Sequence, residues 1–121
     1  MLDLQIKLPP GSKLPPPNGS IYDLILPGSV FVTVREIDEL APKTLDDAKT
    51  RAYDYHSAKQ LHTETLLDGW IVQFESDAGG GHALWILVRR KFGDKEYECS
   101  GNAFKPEDAA PIIGACKSLK R

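Results

Sequence analysis

Two charge pairs align one hairpin of this chain, and the rest of the architecture hangs on that alignment. From 83 to 101 the strand-like sequence breaks only at Gly93-Asp94. Counting outward from that turn sets Lys91 opposite Glu96 and Arg89 opposite Glu98 on one face. Opposite charges directly across an antiparallel pair contribute roughly 0.2–1 kcal/mol each. The same register sets Val88 opposite Cys99 and Arg90 opposite Tyr97 on the other face. Turn chemistry and side-chain pairing agree.

The remaining elements follow by periodicity. Asp68-Gly69 separates 61–67 from 70–76, the signal of a two-residue hairpin turn with positive φ. That turn pairs Leu67 with Trp70, Thr65 with Val72 and Thr63 with Phe74. Strands at 22–26 and 30–37 meet at Pro27-Gly28-Ser29, with Val30, Val32 and Val34 on one face. Thr44 and Asp47 read as an N-cap and its partner three residues on, opening a helix over 45–58 with Leu45, Ala48, Ala52 and Tyr55 on its apolar side. Leu2, Leu4, Ile6 and Leu8 alternate with polar residues, predicting an N-terminal strand before a proline-rich loop over 9–20. Asp108 reads as the N-cap of a final helix with Pro111 in its first turn. In that helix Ile112, Ala115, Cys116 and Leu119 form the inward stripe. The 121 residues thus describe one α+β domain over 1–121: an antiparallel sheet with N-terminal strands, a central helix, a four-strand meander and a packed C-terminal helix.

Cys99 and Cys116 fall on inward faces of the last strand and last helix. A helix folded back on its neighbouring strand brings their Cα atoms within the ~4.4–6.8 Å a disulfide requires. The other reading is two buried free thiols. A bridge would indicate an oxidising compartment.

Composition removes several function classes. With 15 basic and 17 acidic residues the net charge is −2, which gives no bias toward nucleic acid or an anionic surface. No apolar run reaches the ~18 residues of a membrane span. The run Arg89-Arg90-Lys91 is largely neutralised by Glu96 and Glu98, so nucleic acid is not an expected partner. Gly79-Gly80-Gly81 lacks the Lys-Ser/Thr of a phosphate loop and precedes a strand. His56 and His62 straddle a helix-to-strand change, and His62 is expected outward across from Glu75. No metal site, cofactor site or catalytic constellation is expected.

The stretch from Leu66 through Asp68-Gly69-Trp70 to Phe74, then Tyr97-Glu98-Cys99, then Cys116-Lys117-Ser118-Leu119, resembles the PsbP-like superfamily, particularly its small bacterial envelope members. That superfamily includes a Ran-binding nuclear import factor. The resemblance implies a non-enzymatic domain that binds protein partners, assists assembly or serves as an adaptor. It implies a periplasmic or envelope address, although no leader or lipid-attachment cysteine follows Met1. The alternatives are a cytoplasmic adaptor or chaperone, since type VI secretion effector chaperones share that fold, and a cystatin-like ligand-binding domain or small enzyme.

A partner surface is expected where apolar residues reach the outer sheet face. Leu66 and Ile71 point outward from their hairpin, and Trp85 and Leu87 share the face of Arg89 and Lys91. Uncovered, these four form a protein-binding patch; covered by the first helix or the N-terminal strands, they are core.

Overall fold

The computed structural model describes residues 4–16, 21–28, 30–37, 42, 44–77 and 82–120. It shows an α+β fold with a six-strand antiparallel sheet and two helices. The strands are β1 (Ile21–Leu26), β2 (Val30–Glu36), β3 (Lys59–Leu66), β4 (Gly69–Ser76), β5 (Ala83–Phe92) and β6 (Lys95–Ala103). Helix α1 (Leu45–His56) lies between β2 and β3, and α2 (Ala109–Lys117) follows a 3-10 turn at Pro106–Asp108. The order across the sheet is β1-β2-β6-β5-β4-β3. The expected meander is met in part: β3 to β6 are sequential neighbours, but β6 goes on to pair with β2, and the first hairpin has another register.

The β5–β6 hairpin has the expected alignment, with Lys91 opposite Glu96, Arg89 opposite Glu98, Arg90 opposite Tyr97 and Val88 opposite Cys99. The ion pairs run diagonally, however. Arg89 pairs with Glu96, which leaves Glu98 to bind Arg35 of β2 at 3.3 Å.

The β3–β4 turn falls one residue upstream of expectation, at Leu67-Asp68. Leu66 opposes Gly69, Thr65 opposes Trp70 and Thr63 opposes Val72. Gly69 is needed inside the strand, because a methyl group there would overlap the Arg89 carbonyl of β5. Asp68 is also held: its carboxylate accepts from Arg90 Nε at 2.7 Å and from a terminal guanidinium nitrogen at 2.8 Å. The same guanidinium donates to the carbonyls of Cys116 (3.0 Å) and Lys117 (2.8 Å), capping the negative end of α2 with a cation.

Strand alternation sorts the core into two layers. On one face Leu24, Val32, Val34, Ile71, Ile86, Val88 and Cys99 pack against Ile112, Cys116 and Leu119, with Leu4, Ile6 and Leu8 at the margin. Residues 4–8 alternate between half-buried and exposed as expected, yet among the described residues they form no extended strand. Only Gln5 bridges, to Lys120, and Lys7 N–H donates to Ser118 Oγ at 2.8 Å. Leu2 lies outside the described residues. The Cys99 and Cys116 sulfurs are at bonding distance, 2.07 Å, with Cα atoms 5.6 Å apart.

On the other face Trp70, Val72 and Phe74 pack beneath Ala48 and Ala52 of α1. Thr44 caps this helix, its hydroxyl accepting from Asp47 N–H at 3.0 Å. Ser57, at φ 49°, ends it two residues before the expected stop. Tyr55, expected on the apolar side, is exposed. Asp108 gives α2 no side-chain cap; the 3-10 turn leads into it instead.

Candidate functional site

The four residues expected to form one outer patch lie on opposite faces of the sheet. Ile71 opposes Val88, so it belongs to the α2 layer, where it is buried; Leu66 packs half-buried against the same layer. Ile71 is therefore not available as a partner surface, and Leu66 is separated from Trp85 and Leu87 by the thickness of the sheet. Trp85 opposes Phe74 and Leu87 opposes Val72, which places both on the α1 face, partly exposed. The reason is the β4–β5 connection. Its register could not be counted from a two-residue turn, and the two hairpin faces match the other way round.

What the α1 face offers is a groove. Helix α1 packs over β4 and leaves the β2–β6 part of that face open. A cavity of about 860 Å³ runs between the helix and this open part. Trp85, Leu87 and Phe74 contribute to it from the sheet, beside Ala48, Ala52 and His56 of α1. The His56 ring lies 4.4 Å from that of Trp85, and Phe74 stacks on Trp85 at 5.9 Å. Trp85 Nε1 is buried among these rings without a hydrogen-bond partner.

Three aromatic side chains stand exposed around the groove: Phe31 at 56%, Tyr55 at 73% and Phe104 at 75%. Phe31 was legible in the sequence, because Val30, Val32 and Val34 point to the core and their neighbours must point away. Phe104 and Tyr55 carry no comparable signal. Three polar groups of the wall have partners: Thr33 donates to Asp23 at 2.8 Å, Arg35 holds Glu98, and Arg51 holds Asp47 at 3.3 Å.

A polar cluster lies where the chain leaves β4 and enters β5. His82 Nδ1 is 2.8 Å from Asp77 and its Nε2 is 3.1 Å from Glu75, while Lys59 lies 3.2 Å from Asp77. The hydrogen bond to Asp77, with that to Glu75, raises the His82 pKa; the bond from His82, with Lys59, lowers that of Asp77. Glu75 thus takes His82, whereas His62, its expected partner, opposes Gln73. Among the described residues no group of three or more His, Cys, Asp or Glu side chains is placed to hold a metal ion. No helix among them is long and apolar enough to cross a membrane. No protein-family model and no curated protein matches the chain.

Proposed function

We propose that this chain is a non-catalytic, protein-binding domain of the PsbP-like kind, working in an oxidising compartment such as a bacterial envelope. The observation that carries the binding role is the groove with its rim of exposed Phe31, Tyr55 and Phe104. Exposed aromatics around a concave apolar floor are the chemistry of interface hot spots, which draw on large rings buried at a contact's centre. Two guanidinium groups of the wall, Arg35 and Arg51, are each held by a carboxylate, which supports recognition more than bond-making. Trp85 and Leu87, which line the groove, are the two of the four expected residues carried into this reading; Leu66 and Ile71, on the other face, are not. The element order supports the PsbP-like kinship, and the Cys99–Cys116 pair supports the compartment.

The test is selection of peptides from a random library against the folded protein, followed by titration read by tryptophan fluorescence. Phe31→Ala and Phe104→Ala should each weaken a selected peptide by about tenfold or more, as hot-spot truncations do. Melting should barely change, because both side chains are exposed. Selected peptides whose affinity neither substitution alters would place binding elsewhere and overturn the assignment.

A further inference from the structure

β3 ends the sheet, and among the described residues no strand pairs with its outer edge. The ladder determines which backbone groups that edge presents. Lys91 N–H donates to Asp68 O at 2.7 Å, so even-numbered residues at this end of β4 bond toward β5 and odd-numbered ones toward β3. Gly69, Ile71 and Gln73 therefore bond Leu66, Glu64 and His62, their opposites. Thr63 and Thr65 are left with N–H and C=O directed away from the sheet, and both are exposed. Upstream, a bulge between Lys59 and His62, with Gln60 at φ 53°, interrupts the edge. Bulges of this kind limit edge pairing, so the usable template is 62–66.

We infer that this edge pairs antiparallel with the same edge of a second copy of the chain, centred on Thr63. Outward-bonding residues must oppose outward-bonding residues, which leaves few registers. Centring on Thr63 sets it opposite itself and sets His62 opposite Glu64 of the second copy, twice by symmetry. These fall in the closer, non-hydrogen-bonded kind of pair, with Cα atoms about 4.5 Å apart, so imidazole and carboxylate meet. The adjacent register on one side sets Glu64 against Glu64, a like-charge pair that repels. The adjacent register on the other side sets His62 against His62, two imidazoles with no carboxylate between them. The Thr63-centred register keeps 62–64 inside the regular template and sets Thr65 against Leu61, beside the bulge. Centring on Thr65 sets Glu64 against Leu66, so of these in-phase registers the Thr63-centred one alone pairs carboxylate with imidazole, twice by the two-fold. Lys117 lies 2.8 Å from Glu64 and orients that carboxylate on the α2 face. A single short strand per copy buries less than the ~1,200 Å² of a stable complex, so the dimer is weak and concentration-dependent.

Sedimentation equilibrium on the full chain, from about 10 μM to about 1 mM, reads the association directly, over the range of weak binding. The average mass should climb toward twice that of one chain. Thr63→Pro should hold it at one chain, because it removes an outward N–H and spares the β4 ladder. His62→Glu should weaken association by about tenfold or more, and adding Glu64→His to it should restore dimers. A chain that stays monomeric throughout, or a dimer indifferent to Thr63→Pro and His62→Glu, overturns the inference. Should the proline variant fail to fold, the exchange pair decides: dimers regained support the register, and dimers not regained refute it.

Discussion

Reducing the Cys99–Cys116 bridge should cost this fold about 3 kcal/mol, and the loop it closes yields the figure. The sequence separation is 17 residues. In the chain-entropy model a loop of that size removes about 10.5 cal/mol/K from the unfolded ensemble, or about 3.1 kcal/mol at 25 °C. A chain of 121 residues has an unfolding entropy of about 250 cal/mol/K near its midpoint, so the loss corresponds to a melting shift of about 12 °C. Both cysteines are fully buried, between β6 and α2, so reductant reaches the sulfurs only when that layer opens. Urea unfolding of the oxidised and the reduced wild-type chain isolates the cross-link, since both keep the sulfur volume. A Cys99→Ala, Cys116→Ala double variant should lose more, because it also leaves cavities in the layer around Ile112 and Val88. If oxidised and reduced chains unfold within about 1 kcal/mol of each other, the bridge does not constrain the unfolded chain as reasoned.

Two further predictions test single sites. Gly114 sits in α2 with an ordinary negative φ and nothing within 4 Å of where a Cβ would stand, so Gly114→Ala should stabilise by about 0.5–1 kcal/mol in urea unfolding. His82 should titrate above the ordinary histidine value of 6.5 in an NMR pH series, and Asp77→Asn should bring it back down. Because its folded pKa is raised, the stability from His82 is fully present below about pH 6.5 and disappears as pH rises through the raised value. Asp77, with its pKa lowered, contributes above the ordinary carboxylate value and loses that contribution as pH falls through the lowered one.

What was legible in the sequence was whatever depended on neighbours along the chain. The Gly93-Asp94 hairpin declared its register through four charged residues within ten positions, and the structure has that register. The inward stripe of α2 and the facing of Cys99 with Cys116 followed from one helical and one strand period joined by a short connection. The errors arose where a distant strand decides. Gly69 reads as a turn glycine, but the close approach of the β5 backbone requires it in the ladder, and the turn moves to Leu67-Asp68. Leu66, Ile71, Trp85 and Leu87 each alternate as expected within their own hairpins. They divide between two faces because the β4–β5 connection sets how one hairpin meets the other. The groove itself was half legible: Phe31 is out of phase with three core valines, whereas Phe104 joins it only through the path of the chain after β6.

The two faces of the sheet are closed to very different degrees, and that asymmetry bears on function. On the α2 face the helix is tied by the bridge, by the Arg90 clamp on its last carbonyls, and by the N-terminal segment that binds Ser118 and Lys120. On the other face α1 buries only Ala48 and Ala52 fully, two small side chains that permit close approach but contribute little area. The wall of the groove is therefore the less anchored helix, the one able to adjust to an occupant without disturbing the bridged layer. Pairing through β3 would leave this arrangement intact, since the groove opens toward β2 and β6, on the far side of the sheet from that edge. A two-fold axis relating antiparallel edge strands stands perpendicular to the sheet, so both copies present the same face on the same side. Two grooves facing one way would convert a modest single contact into a bivalent one, in which the second engagement is intramolecular and set by effective concentration. On the proposed binding role and the inferred self-association, the groove and the β3 edge would serve one binding design, with the α2 face holding the strands in place.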